Sequence, residues 1–336
     1  MSFTSGATSP ADRWADVYLA AVARAVSTCG DMLAATALVL ALQQRGAGGW
    51  AVAAVLLSAA VPPAVLAPLT GRLADRVDSR LLLVGTGLAQ AGICAALTFA
   101  GSTWAIVGLV AALGAGLAIT QPTLAALVPA MVGRDSLPRA SAIGQTATSI
   151  GWLGAPALGG LLVGEFGLRV PLLADAASYL ALAVGALLLR TRRGGRGVAG
   201  PATGMPRAPE PDAGPRWSLW REPLLRPLVV VTAAVVAALT AINVADVFFV
   251  RETLHSSATV YGLLGAAWTG AMLAGGWLAA LRKPRDPTLA LVELGACVLV
   301  SLVVLAAAGV PSVGWLVPLW LLGGLGNGVE PVVLSV

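Results

Sequence analysis

The chain has 336 residues, 57% of them hydrophobic and 11% charged, with a formal net charge of +5. A soluble domain is roughly 45–50% apolar and about 25% charged, so this composition belongs to a polytopic membrane protein. The basicity does not point to nucleic acid, because the Arg residues fall in short pieces between apolar runs instead of forming one basic face.

The stretch 1–18, "MSFTSGATSPADRWADVY", is polar and carries acids, and the apolar run after it is too long for a signal-peptide core. It reads as a cytoplasmic tail. A helix crossing a hydrocarbon layer of about 30 Å needs about 20 apolar residues. Runs near 19–42, 50–70, 81–100, 104–130, 142–164, 170–190, 224–250, 258–281, 287–309 and 313–336 meet that length and predict ten spans. The segment 191–223 is rich in Pro, Gly and Arg without apolar periodicity, which makes it a flexible linker. It divides a six-helix bundle (19–190) from an incomplete four-helix bundle (224–336).

Basic residues collect on one side of the predicted spans. With the N-terminus in the cytoplasm, Arg13, Arg72, Arg76, Arg80, Arg134, Arg139, the Arg-rich linker, Arg282, Lys283 and Arg285 lie inside, against Arg45, Arg169 and Arg251 outside. The positive-inside rule therefore predicts a multi-pass protein of the cell membrane with a cytoplasmic N-terminus. The Gly-rich turn and polar-Pro pair of "LGAGLAITQP" (113–122) recur in "LGGLGNGVEP" (322–331), as in transporters built from related halves. The last run ends at Val336 without a polar flank, so the chain reads as cut after span 10.

Cys29, Cys94 and Cys297 lie inside apolar runs without metal-ligand or redox spacing, and read as small core residues. No phosphate-cradling loop, metal cluster or nucleophile–base pair is present in the sequence, so neither cofactor nor enzymatic activity is expected.

Two motifs carry a family resemblance. "GRLADRVDSR" (71–80) lies between spans 2 and 3. It matches Gly-x-Leu-Ala-Asp-Arg-x-Gly-Arg-Arg at Gly71, Leu73, Ala74, Asp75, Arg76 and Arg80, with Asp78 where Gly is usual and Ser79 replacing one basic residue. "GQTATSIGWLGAPALGG" (144–160) in span 5 supplies Gly144, Gly151, Pro156, Gly159 and Gly160 of an exporter motif, with Ala155 in place of one Gly. Its small residues recur every four positions, which lets helices approach closely in lipid. The chain thus resembles the major facilitator superfamily, and "LAALVPAMVGRDSLPRASAI" and "LLADAASYLALAV" look similar to its branch of enterobactin exporters and multidrug antiporters.

The resemblance implies an all-α fold of two helical bundles, here about ten of twelve helices. It also implies a monomeric secondary transporter that exports a small organic molecule against protons by alternating access. Residues 71–80 would act as a gating loop, with Asp75 and its Arg neighbours as the latch. A rival reading from another class is a non-transporting membrane protein: a sensor, an assembly partner or an inactive remnant. A membrane-embedded enzyme is a distant third.

Ionisable groups at membrane depth are functional candidates by default. Arg24, Thr28 and Asp31 are spaced to share one face of span 1, so Asp31 reads either as a proton site or as half of a structural Arg–Asp pair. Asp246 and Glu330 are further proton-coupling candidates. By resemblance, spans 1, 4, 7 and 10 line the cavity, which adds Gln121 and Asn243 as substrate contacts. Trp268 is deep enough to meet a flat substrate, with packing as the alternative. Asp175 and Glu293 rank lower because their spans are less central, and His255 reads as a solvent-facing loop residue.

Overall fold

The structure is a computed structural model that describes residues 12–194, 241–282 and 286–329. Everything in it above the loops is helical. The first half contains α1 (Trp14–Gln44), α2 (Gly48–Arg76), α3 (Ser79–Leu97), α4 (Thr103–Met131), α5 (Leu137–Phe166) and α6 (Arg169–Leu188). The second half contains the described part of α7 (241–248), which runs into a π-helical turn at Phe249–Thr253, then α8 (Ala258–Arg282), α9 (Asp286–Ala307) and α10 (Val313–Asn327).

Turns between the helices follow local chemistry. Gly46 and Gly48 adopt φ of +66° and +78° in the turn that reverses α1 into α2, a conformation that costs a side chain about 1 kcal/mol or more. Asp78 caps α3, its carboxylate accepting from the backbone N–H of Arg80 at 2.8 Å and of Leu81 at 3.2 Å. Ser102 caps α4 by accepting from the N–H of Ala105 at 3.2 Å. Each cap satisfies donors that a helix start leaves open.

Among the described residues seven helices are long and apolar enough to cross a membrane, not the ten predicted. Leu294–Ala307 and Val313–Asn327 are shorter apolar helices, and most of the run 224–250 lies outside the described residues. At the end of α10, glycines 323, 324, 326 and 328 replace residues that favour helix, and the described helix stops at Asn327. The supposed loop 71–80 is also mostly helix, because α2 continues through Arg76 and leaves only Val77 and Asp78 outside helical structure.

In the first half α1 packs on α5 and α6, α2 on α4, and α3 on α4 and α6. The repeated Gly-rich turn has equivalent neighbours in both halves. Gly114 of α4 lies against the backbone of Ala59 in α2, and Gly323 of α10 lies against Trp268 in α8. Among the described residues the halves meet chiefly through α5 and α8. Gly151 and Gly159 of α5 face α1 at Thr28 and Thr36, whereas Pro156 and Gly160 face α8 at Gly262. The small residues of span 5 thus serve two helix contacts, with Ala155 fully buried. Gly144 has nothing near it.

Candidate functional site

Asp31 lies seventeen positions into α1, about 26 Å along the helix at 1.5 Å per residue, just past its middle. Its neighbour Gly30 is the point where α6 comes closest. A Cβ built on Gly30 would overlap Ser178 Oγ and lie 2.5 Å from Asp175 Oδ1, so only glycine admits α6 at this depth. That approach delivers Asp175, Ser178 and Tyr179, which share one face of α6 by their i, i+3, i+4 spacing. All three are buried.

The resulting cluster joins three helices. Tyr179 donates its phenolic hydrogen to Asp31 Oδ1 at 2.5 Å. Cys94, from α3, places its thiol 3.1 Å from Asp175 Oδ2 as a donor. Ser178 Oγ lies 2.8 Å from its own helix carbonyl at Asp175 and 3.1 Å from Asp175 Oδ1, so its single hydrogen is shared between two acceptors. The two carboxyls lie within electrostatic reach of each other. Asp175 is 1% exposed, whereas Asp31 as a residue keeps partial exposure with its carboxyl turned toward Tyr179.

Arg24 is not the partner of Asp31. The offset of seven positions corresponds to about 10 Å of helix rise, and the Asp31 carboxyl is engaged by Tyr179 instead. Arg24 Nε is sealed from solvent and has no hydrogen-bond partner among the described residues.

The remaining candidates are dispersed. Gln121 is exposed on α4; the neighbouring Thr120 hydroxyl is buried and lies 3.3 Å from Gln90 Oε1 and 3.0 Å from Gly116 O. Asn243 is exposed on α7. Asp246 is partly buried, its Oδ1 sealed without a hydrogen-bond partner among the described residues and within electrostatic reach of Tyr261. Trp268 packs between α8 and α10, with its ring 5.9 Å from that of Trp320. Glu330 lies outside the described residues. His255 is exposed in a short connection, with φ of +49°. Two cavities of about 410 and 540 Å³ are lined by apolar residues of α8, α9, α10 and their connections and include none of these polar groups.

On the side of the chain's N-terminus, the end of the 71–80 segment meets residues 189–193. Ser79 and Arg193 exchange two hydrogen bonds, Ser79 N–H to Arg193 O at 2.8 Å and Arg193 N–H to Ser79 Oγ at 3.0 Å. The Arg80 guanidinium donates to Leu189 O. Arg76 is exposed, Gly71 has open space around it, and the Asp75 side chain lies outside the described set. Asp16 accepts from Thr191 N–H at 2.8 Å and Thr191 Oγ1 at 2.6 Å, so α1 holds the same strap.

On the opposite side the two halves touch. Gln43, at the end of α1, donates to Glu252 Oε1 at 3.1 Å and accepts from Arg251 Nε at 3.3 Å. The π-helical turn presents both of these residues. Gly160 meets Gly262 on the same half of α5, so among the described residues these contacts between the halves lie on the side away from the N-terminal tail.

The sequence singles out Asp31, ranks Asp175 lower, reads Cys94 as a small core residue and gives no notice of Ser178 and Tyr179. The usable signal was the i, i+3, i+4 spacing of Asp175, Ser178 and Tyr179 on an otherwise apolar span.

A model of the Major Facilitator Superfamily matches residues 20–336. No curated protein matches the chain. Among solved structures it is similar to a bacterial homologue of the human lysosomal transporter Spinster, in an inward-facing and occupied conformation. The TM-score is 0.69 at 15% identity, covering 96% of this chain and 74% of that one. The same homologue in an inward-facing and unoccupied conformation gives a TM-score of 0.68 at 15% identity and the same coverage. At that identity the likeness is one of fold.

Proposed function

The chain belongs to the Major Facilitator Superfamily, and from that premise we propose that it is a proton-coupled exporter of a small organic molecule. Family membership makes it a secondary transporter of the alternating-access type rather than an enzyme. The coupling ion and the direction of transport are our reading.

The observation that carries the proton assignment is the Asp31–Tyr179–Asp175 cluster. Burying an ionised carboxylate costs several kcal/mol unless it is paired and hydrogen-bonded, so a carboxyl whose water access changes between two states favours a different charge in each. Asp31 is the partly exposed member, and Tyr179 fixes its orientation. Asp175 is a second carboxyl close enough to sense its charge. Taking up a proton in one state and releasing it in the other lets the gradient bias the equilibrium between them.

With the N-terminus in the cytoplasm, as the Arg distribution favours, the Gln43–Glu252 contact closes the outer side and cargo enters from within. The fold neighbours described as inward-facing support that reading. The protein is expected to work as a monomer in the cell membrane.

The experiment is transport by the full chain in proteoliposomes. An imposed pH gradient should drive accumulation of a fluorescent organic probe, and a protonophore should abolish it. Accumulation that a protonophore leaves intact would contradict proton coupling.

A further inference from the structure

We propose that Arg24 selects the cargo and that the cargo is an organic anion, held through a carboxylate, phosphate or sulfonate. This deepens the transport reading and rests on it for the word cargo.

Arg24 is a fixed positive charge in the interior of a membrane-spanning helix, ten positions or about 15 Å from the start of α1. Such a charge is normally neutralised by an acid or by carbonyl oxygens. Here nothing among the described residues hydrogen-bonds or ion-pairs with it. Asp31, the nearest acid on the same face, lies about 10 Å further along the helix and receives Tyr179. Asp16 lies on the other side of Arg24 along α1 and is spent on Thr191.

The geometry leaves one end of the guanidinium available. Nε is sealed, while the residue as a whole keeps partial exposure, so the two Nη atoms form the reachable end. Planar guanidinium nitrogens match carboxylate and phosphate oxygens better than any other side chain does. The position of Arg24 also fits entry from the tail side, since the halves meet on the far side of the fold. The cation is therefore reached before Asp31 by cargo coming from that direction.

Equilibrium binding to the purified full chain in neutral-lipid nanodiscs tests the assignment, with carboxyfluorescein as the anion and rhodamine 123 as a cation of similar shape. The wild type should bind the anion at least about tenfold more tightly, the range expected for a charge-assisted hydrogen bond. Arg24→Gln should erase that preference, and Arg24→Lys should keep part of it. Equal binding of the two dyes by the wild type overturns the proposal without any variant, so it stays testable even if Arg24→Gln does not fold. Loss of anion binding when phosphatidylglycerol replaces the neutral lipid would assign Arg24 to a lipid headgroup and also overturn it. Binding is read without a gradient: anion preference without gradient-driven transport would sink the transport reading alone, and transport without anion preference would sink this inference alone.

Discussion

Tyr179 donates a hydrogen bond to Asp31 across the α1–α6 contact, and the two side chains meet only because Gly30 lies between the helices. Packing and chemistry thus depend on the same few atoms. Tyr179→Phe keeps the ring and removes the donor, so it should lower stability by about 1–3 kcal/mol, as expected for a hydrogen bond to a group that can carry charge. It should also slow gradient-driven transport several-fold. Thermal unfolding in detergent and proteoliposome rates check both; unchanged values for the two would mean that the bond is incidental.

Glycines near one another in sequence should respond differently to substitution. Gly160→Val brings a Cβ to 2.5 Å from Ala258 O and 2.9 Å from Gly262 Cα, and overpacking against backbone costs about 1–3 kcal/mol. Gly144→Ala meets nothing within 4 Å and should be neutral or stabilising by up to about 1 kcal/mol through helix propensity. Thermal midpoints of the two variants give the comparison, and equal destabilisation would contradict the assignment of α5 to α8.

The N-terminal tail should show a pH-dependent attachment. Asp12 accepts from Gly133 N–H at 2.8 Å and from Ser136 Oγ at 2.5 Å. Those bonds, the Gly133 one foremost, hold its carboxyl below the ordinary value of 3.8. A depressed value in the folded state means that the contact contributes above about pH 4 and is lost as pH falls through the lower folded value. Hydrogen exchange at Gly133 should be faster in Asp12→Ala than in the wild type at pH 7, and the difference should shrink at pH 3. No difference at pH 7 would show that the tail is not held there.

The contact between the halves offers a mechanical test. Gln43→Cys with Glu252→Cys, made with Cys297→Ser because Cys297 is the exposed native thiol, should be bridged by a short bifunctional methanethiosulfonate reagent. Transport should stop on bridging and return on reduction. Bridged protein that transports at the normal rate would show that these side chains do not separate in the cycle.

The sequence shows much of the fold because each apolar run must be long enough to cross lipid, and that length survives any rearrangement of side chains. The motif at 71–80 was legible as a family marker but not as structure. α2 runs on to Arg76, and Asp78, the departure from the family pattern, is the cap of α3. The site was half legible. Asp31 stands out as a carboxylate in an apolar run, whereas its pairing with Tyr179 and Asp175 depends on which faces of α1 and α6 meet, and periodicity within one helix does not specify that. Arg24 is the instructive case: sequence spacing offers it as one possible partner for Asp31, while the three-dimensional arrangement gives Asp31 to Tyr179 and leaves the cation without a partner among the described residues.

The central claim is that Asp31 couples cargo movement to the proton gradient, and Asp31→Asn tests it most directly. In proteoliposomes the variant should still exchange external probe for internal probe at equal pH, because binding and alternating access are retained. It should lose at least about tenfold of the accumulation driven by a pH gradient. Accumulation equal to that of the wild type would contradict the account.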